Sequence, residues 1–141
     1  MLQRCCWVTE AQQNNALNIP PLMETLRDAR AALDQWHTYV VRADGRLVAS
    51  VRGRRDDDRW LIGRLMVAPD LQGRGIGRWL LEYVESVAPP ETTSFELFTG
   101  SASLDNQRLY RRAGYRRDAR RDDSQGVVVM IKPRGGLPRS I

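Results

Sequence analysis

Between Asp70 and Trp79 the sequence reads DLQGRGIGRW, in which three glycines alternate with Arg74 and Ile76 and are followed by Arg78. Glycine at this density costs conformational entropy on folding, so something must need the backbone bare. The stretch lies directly after an apolar run and directly before a helix-like one. A strand that passes through glycines into a helix is a way of binding phosphate. The first-turn N–H groups lack intrahelical partners, and the macrodipole places partial positive charge on them. With no Cβ in the way, an anion reaches those groups closely. Gly73, Gly75 and Gly77, with Arg74 and Arg78 adding charge, therefore predict a phosphate or pyrophosphate site. A turn with only a packing role is the competing reading. The dinucleotide fingerprint fails because Arg78 stands where its third glycine should fall, and no Gly-Lys-Ser/Thr is present for a P-loop.

The elements that must hold this turn follow from periodicity. QRCCWVTE carries strand-like residues with weak alternation, which places Cys5 and Cys6 on a strand, pointing to opposite faces. NIPPLMETLRDARAALDQW predicts one helix entered through Pro20 and Pro21, with Leu22, Leu26, Ala29 and Leu33 as its buried face. HTYVVRADGRLVASV predicts a hairpin turning at Asp44-Gly45, and GRRDDD a polar loop. RWLIGRLMV predicts a strand ended by Pro69, and GIGRWLLEYVESVA a helix burying Ile76, Leu80, Tyr83, Val84 and Val87. SFELFTG is a further strand, SLDNQRLYRRAG a short helix closed at Gly114, and YRRDAR with GVVVMIK a final antiparallel pair. The order predicts a single-domain mixed α/β sheet flanked by helices, with no repeat, and with 134–141 as a flexible tail.

Composition narrows the class. The 141 residues fit one core, and 42% hydrophobic with 28% charged fits a globular chain. No apolar run reaches the length of a membrane span. The first residues lack a basic region followed by an apolar block, so a cytoplasmic location is expected. Cys5 and Cys6 are the only cysteines, adjacent and without zinc spacing, so no metal is expected. The net charge is +5, and of 22 basic residues only Lys132 is a lysine. That excess reads as a solvated surface or as attraction for an anionic partner, a nucleic acid or a phosphorylated small molecule.

Two stretches resemble one family. QGRGIG, Gln72 to Gly77, is similar to the Q/R-x-x-G-x-G/A signature of the GNAT superfamily of acyl-CoA-dependent N-acetyltransferases, and it follows LMVAPDL, which resembles that family's fourth strand and turn. NQRLYRRAGY, Asn106 to Tyr115, resembles the family's N-x-x-[LA]-Y-x-x-x-G-[FY] helix. The two lie about thirty residues apart with a strand between them. By element order the resemblance covers roughly residues 36 to 132, with no motif in the first thirty-five.

The resemblance implies a mostly antiparallel sheet whose two central strands splay apart, an N-acetyltransferase domain over 1–133, and acetyl-CoA as cosubstrate. Its pyrophosphate would rest on the backbone N–H groups of Gln72, Gly73, Arg74, Gly75, Ile76, Gly77 and Arg78. The pantetheine arm would pair beside Met66 and Val67, where a main-chain N–H near Val67 would polarise the thioester carbonyl. Asn106 would hydrogen-bond the arm. Tyr110, four residues on and so on the same helix face, would protonate the departing thiolate. A phenol titrates near pH 10, so it keeps a proton to give at neutral pH.

The general base departs from the family pattern, because RWLIGRLMV carries Arg64 but no carboxylate. Glu96, His37 and Asp56–Asp58 are the substitutes, each with a plain structural alternative: solvent, a helix end, a solvated loop. No residue is an obvious acyl carrier, which favours direct transfer to an amine in a ternary complex. The positive charge, with Arg42, Arg52 and Arg64 on the expected strands, argues against a polybasic peptide and for a small amine, or for an amino group on a molecule that also carries an anion. A non-catalytic acyl-CoA sensor and a basic nucleic-acid-binding module are the alternatives. The latter lacks interleaved aromatics and any recognition motif. A homodimer fits the resemblance, with no interface marked in the sequence.

Overall fold

The computed structural model describes residues 1–13, 20–122 and 126–135. Residues 136–141 of the expected tail and 18–19 of the expected first helix lie outside them. In chain order the elements are α1 (Leu2–Gln13), α2 (Pro20–Met23), α3 (Leu26–Gln35), β1 (His37–Ala43), β2 (Arg46–Asp56), β3 (Arg59–Val67), α4 (Ile76–Ser86), β4 (Ser94–Gly100), α5 (Leu104–Arg112), β5 (Arg116–Arg117) and β6 (Val127–Pro133), with 3-10 turns at Pro69–Leu71 and Ala119–Arg121. The strands form a six-stranded sheet in the order β1-β2-β3-β4-β6-β5. Every pairing is antiparallel except β3 with β4. A parallel pair needs a crossover, and α4 supplies it.

The two hairpins form for different reasons. Asp44 and Gly45 both take left-handed φ, 50° and 76°, as a two-residue turn matched to strand twist demands. GRRDDD, expected as a loop, is mostly strand: β2 continues to Asp56, pairing Arg54 with Leu61 and Arg55 with Trp60, and only Asp57–Asp58 turn. Ladder hydrogen bonds to a buried neighbour outweigh the polarity of side chains that point to solvent. Gly53 is what lets Trp60 lie flat against β2, since a Cβ there would land inside the indole ring. Trp60 Nε1 then donates to Val84 O on α4 at 2.9 Å, tying the helix to the sheet.

The core lies between the sheet and α4 and α5. Ala49, Val51, Trp60 and Ile62 from β2 and β3 meet Leu80, Leu81 and Val84 of α4, while Phe95, Leu97, Val128 and Met130 meet Tyr110 and Tyr115. Leu81, not named from the sequence, takes the place expected for Tyr83, which is 41% exposed and rests edge-on against Tyr39.

The first thirty-five residues depart from expectation. The strand-like QRCCWVTE is helical, with Ala11 fully buried and α1 packed on α2 and β3. Packing on that sheet face overrides a weak local preference. The expected long helix is two helices. Thr25 caps α3 in a reciprocal box, its Oγ1 accepting from Asp28 N at 3.1 Å while its own N donates to Asp28 Oδ2 at 3.0 Å. That break turns Glu24 inward. The apolar face of α3 is not buried: Leu26 is 69% and Leu33 60% exposed.

β3 and β4 pair over only three residues, Arg59↔Ser94 to Leu61↔Glu96. Beyond them β3 follows β2 and β4 follows β6, so the central strands part. A bulge in β3 accompanies the parting. Register jumps from Arg52↔Gly63 to Ser50↔Met66, leaving Arg64 and Leu65 opposite Val51, with Arg64 at φ 49°. The extra residue resets alternation: Trp60 and Ile62 face the core before it, Leu65 and Val67 after it.

Gly53→Ala is expected to lower stability by about 1–3 kcal/mol, because the methyl must displace a packed indole. Urea unfolding measures it. A midpoint equal to wild type would mean that the Trp60–Gly53 contact is not a constraint.

Candidate active site

Beside the end of β3, past its pairing with β4, lies a cavity of about 400 Å³. One wall is the end of β3, where Leu65, Met66 and Val67 line it. The floor is the turn into α4, contributed by Gln72, Gly73, Gly75, Ile76, Gly77 and Arg78. α5 adds Asn106, Leu109 and Tyr110. Of the residues expected from the sequence to bind the cosubstrate or protonate the thiolate, only Arg74 is not part of the lining.

The turn has the form that anion binding requires. Gly73 and Gly75 take φ of 78° and 81°, and the space where a Cβ would stand is open at both. Gly75 is the N-cap of α4 and makes no side-chain cap, so no side chain closes off the first-turn amides. Gly77 is different: its φ is not left-handed, and a Cβ there would make ordinary contacts with Val67 at 3.8 Å and Leu109 at 3.9 Å. Arg46, just past the β1–β2 turn, forks onto Asp70 with contacts of 2.8 and 2.7 Å and latches the turn to the hairpin. The Arg46 hydrogen bonds hold the Asp70 carboxyl down at about 2.

Val67 O, at the strand end, accepts from Cys6 Sγ at 3.2 Å and from Gln72 Nε2 at 3.2 Å. Cys5, Cys6 and Trp7 of α1 thus form a fourth wall, one that sequence distance had set aside. The Cys6 thiol is pushed up by burial and by neighbouring Cys5, against a smaller lowering by its bond to Val67. It is therefore protonated at neutral pH and a poor nucleophile.

The substitute bases expected from the sequence do not reach the cavity. Glu96 is 1% exposed, neither in solvent nor in the cavity, and is held by Arg59 at 3.1 Å and Arg121 at 2.6 Å. His37 stacks on Trp60, with ring centres 5.9 Å apart. Asp56 pairs with Arg59, and Asp57–Asp58 make the β2–β3 turn. The carboxylate that does approach β3 comes from the end of α2: Glu24 bonds Arg64 at 3.3 Å and Gln3 Nε2 at 2.9 Å. Its only signal in the sequence was the T-x-x-D box that ends α2 beside it. Tyr115, at the end of the second motif, is structural. Its hydroxyl donates to Glu85 Oε1 at 2.8 Å, and burial and Glu85 push the phenol far above its ordinary range.

Comparison with known proteins accords with this architecture. The model of the acetyltransferase (GNAT) family matches residues 5–115, and the chain belongs to that family. The match begins at Cys5, so it takes in α1 and the segment where no motif was legible. UPF0157 protein YqkA of Bacillus subtilis (strain 168) is 27% identical over 113 residues, 80% of this chain but 32% of its own length. The chain thus spans about a third of that curated relative. Among solved structures, a PaiA N-acetyltransferase from Thermoplasma acidophilum in complex with coenzyme A superposes with TM-score 0.70 at 14% identity, covering 94% of this chain and 89% of that one. A GNAT family acetyltransferase from Elizabethkingia anophelis with acetyl-CoA bound gives 0.66 at 17%, covering 83% and 86%. At these identities the likeness is one of fold. No described helix is long and apolar enough to cross a membrane. No group of three or more His, Cys, Asp or Glu among the described residues could hold a metal.

Because folding depresses the Asp70 carboxyl, its latch contributes fully above the unfolded value near 3.9 and is lost as pH falls toward about 2. Amide exchange in the 72–78 turn should therefore be flat from pH 7 to 4, after correction for intrinsic rates, and rise below. Asp70→Asn should raise it at pH 7 by no more than about fivefold, as befits an exposed pair. Equal protection in wild type and variant would show that the latch does not hold the turn.

Proposed function

We propose that the protein is an acetyl-CoA-dependent N-acetyltransferase that passes the acetyl group directly to a primary amine, a small molecule, within a ternary complex. One observation carries the reading: a single cavity joins the uncapped start of α4, the parted end of β3 and Tyr110. Acetyl-CoA has three parts that need those three surfaces. The amides of Gln72 through Arg78 bind its pyrophosphate, with the Arg78 and Arg74 charges nearby. Met66 and Val67 offer strand backbone to the pantetheine arm, and Asn106 orients it from α5. A main-chain N–H near Val67 polarises the thioester carbonyl and stabilises the oxyanion that forms as the amine attacks. Tyr110, 7% exposed and edge-on to Tyr115 at 6.1 Å, gives its hydroxyl proton to the departing thiolate. The protonated state of Cys6 supports direct attack over transfer through a cysteine. Binding displaces the Cys6 and Gln72 side chains from Val67 O wherever the arm takes up that carbonyl.

Isothermal titration should show acetyl-CoA binding, and Gly75→Glu should weaken it by more than about tenfold by placing an anion at the pyrophosphate position. Circular dichroism establishes that the variant is folded. A folded variant with unchanged affinity would remove the turn from the site. Tyr110→Phe should lower kcat by about 10² or more while leaving the acetyl-CoA Kd within about twofold. Undiminished turnover would mean that another group protonates the thiolate.

A further inference from the structure

Strand alternation and the bulge together deliver a cluster of cations to the sheet face away from α4. On β2, Ala49 and Val51 face the core, so Arg52 and Arg54 face the other way. Both guanidinium groups lie over the Trp36 ring that ends α3, at 4.5 and 4.9 Å from its centre. The bulge, with its left-handed Arg64, brings that side chain to the same face, where it bonds Glu24. Arg64 lies close enough to Arg52 for its charge, after burial, to lower the Arg52 guanidinium, with Glu24 opposing. Three guanidinium groups thus lie on this face with one carboxylate, Glu24, which bonds Arg64 and whose charge reaches Arg52. The Nε atoms of both Arg52 and Arg64 are buried and have no hydrogen-bond partner. Among the described residues no carboxylate pairs with Arg52 or Arg54.

Buried charged donors without partners, beside like charges, are costly unless an anion completes them. The Nε–H and terminal N–H of a guanidinium form a fork that fits an oxyanion. The cluster is not part of the cavity's lining but is joined to it through the chain. Arg64 directly precedes Leu65, which lines it, and Gln3, bonded to Glu24, lies two residues before Cys5. The glycine turn already serves one anion, so the arginines are placed for another.

We propose that Arg52 and Arg64, backed by Trp36 and set against Glu24, bind an oxyanion carried by the amine acceptor, a carboxylate or a phosphate monoester a few bonds from its amino group. The assignment of that oxyanion to the acceptor rests on the N-acetyltransferase reading. The cation cluster itself does not. Acceptors that carry only further positive charge are excluded by the same three arginines.

The test has two arms. In ¹⁵N-labelled protein, the Arg52 and Arg64 Nε–H signals are assigned from the R52K and R64K spectra, and glutarate or inorganic phosphate is titrated in at low salt. Both signals should move together and saturate, with a Kd on the order of 1 mM that weakens as salt is added. Signals that do not move with either anion overturn the site. In the second arm, acetyl transfer is compared within two pairs, γ-aminobutyrate against its amide and phosphoethanolamine against ethanolamine. The anionic member of one pair should be favoured by about tenfold or more in kcat/KM, and that pair identifies carboxylate or phosphate. Arg52→Met should bring the ratio to about one while its acetyl-CoA Kd stays at the wild-type value. Equal use of both members in each pair, transfer to none of the four, or a preference kept by Arg52→Met overturns the acceptor assignment. Failure of acetyl-CoA to bind the wild type would instead overturn the enzymatic reading, and the titration of the two arginine signals still decides the oxyanion site.

Discussion

The separation of β3 from β4 is the constraint on which the rest of the structure depends. Two adjacent parallel strands normally stay paired along their length, because each unpaired backbone group must find another partner. Here the pairing stops at Leu61 and Glu96, and each strand finishes against its antiparallel neighbour. Past that pairing, the end of β3 lines a cavity that reaches from Val67 to Tyr110 on α5. The bulge at Arg64 accompanies it, and the same residue sets the polarity of both faces of β3. A left-handed non-glycine residue in a strand is unfavourable, and its persistence beside the cavity marks a place where geometry is held by its surroundings.

Charge is distributed so that buried carboxylates are saturated and buried guanidinium groups are not. Glu96 has two arginines, and Glu85 has both Lys132 at 2.8 Å and the Tyr115 hydroxyl. Neither acid is available for chemistry, and both fasten the β4–β6–α4 side of the molecule. The opposite imbalance occurs on the Trp36 face, where Arg52 and Arg54 lie over the ring and Glu24 bonds Arg64 alone. An excess of +5 spread evenly over a surface would say little about partners. The arginines near Trp36 and those at the turn into α4, Arg74 and Arg78, are the two groups that the proposed function sets against the anions of its two reactants.

The helical N-terminal segment changes how the cavity is enclosed. With QRCCWVTE as a strand, the cysteines would sit on a sheet edge. As α1, the segment lies across the end of β3, and Cys6 and Gln72 share the Val67 carbonyl. The same packing lets Gln3 steady Glu24, so one helix serves both the cavity and the arginine cluster.

The sequence by itself determined the order of elements from His37 onward, though not the reach of β2 through GRRDDD or the shortness of β5, together with the hairpin at Asp44-Gly45, the turn into α4 and the shared helix face of Asn106 and Tyr110, because these are local matters. Alternation, glycine at left-handed positions and i to i+4 spacing are written in neighbouring residues. Tertiary structure alone decided what non-neighbours do. That Glu96 is consumed by Arg59 and Arg121 depends on three elements meeting at one point. That the cysteines wall the cavity depends on α1 packing against β3, which overrode the strand-like composition of QRCCWVTE. That Glu24, Arg52 and Arg64 converge depends on a one-residue bulge, and a bulge is a property of how two strands pair, which neither strand's sequence contains alone.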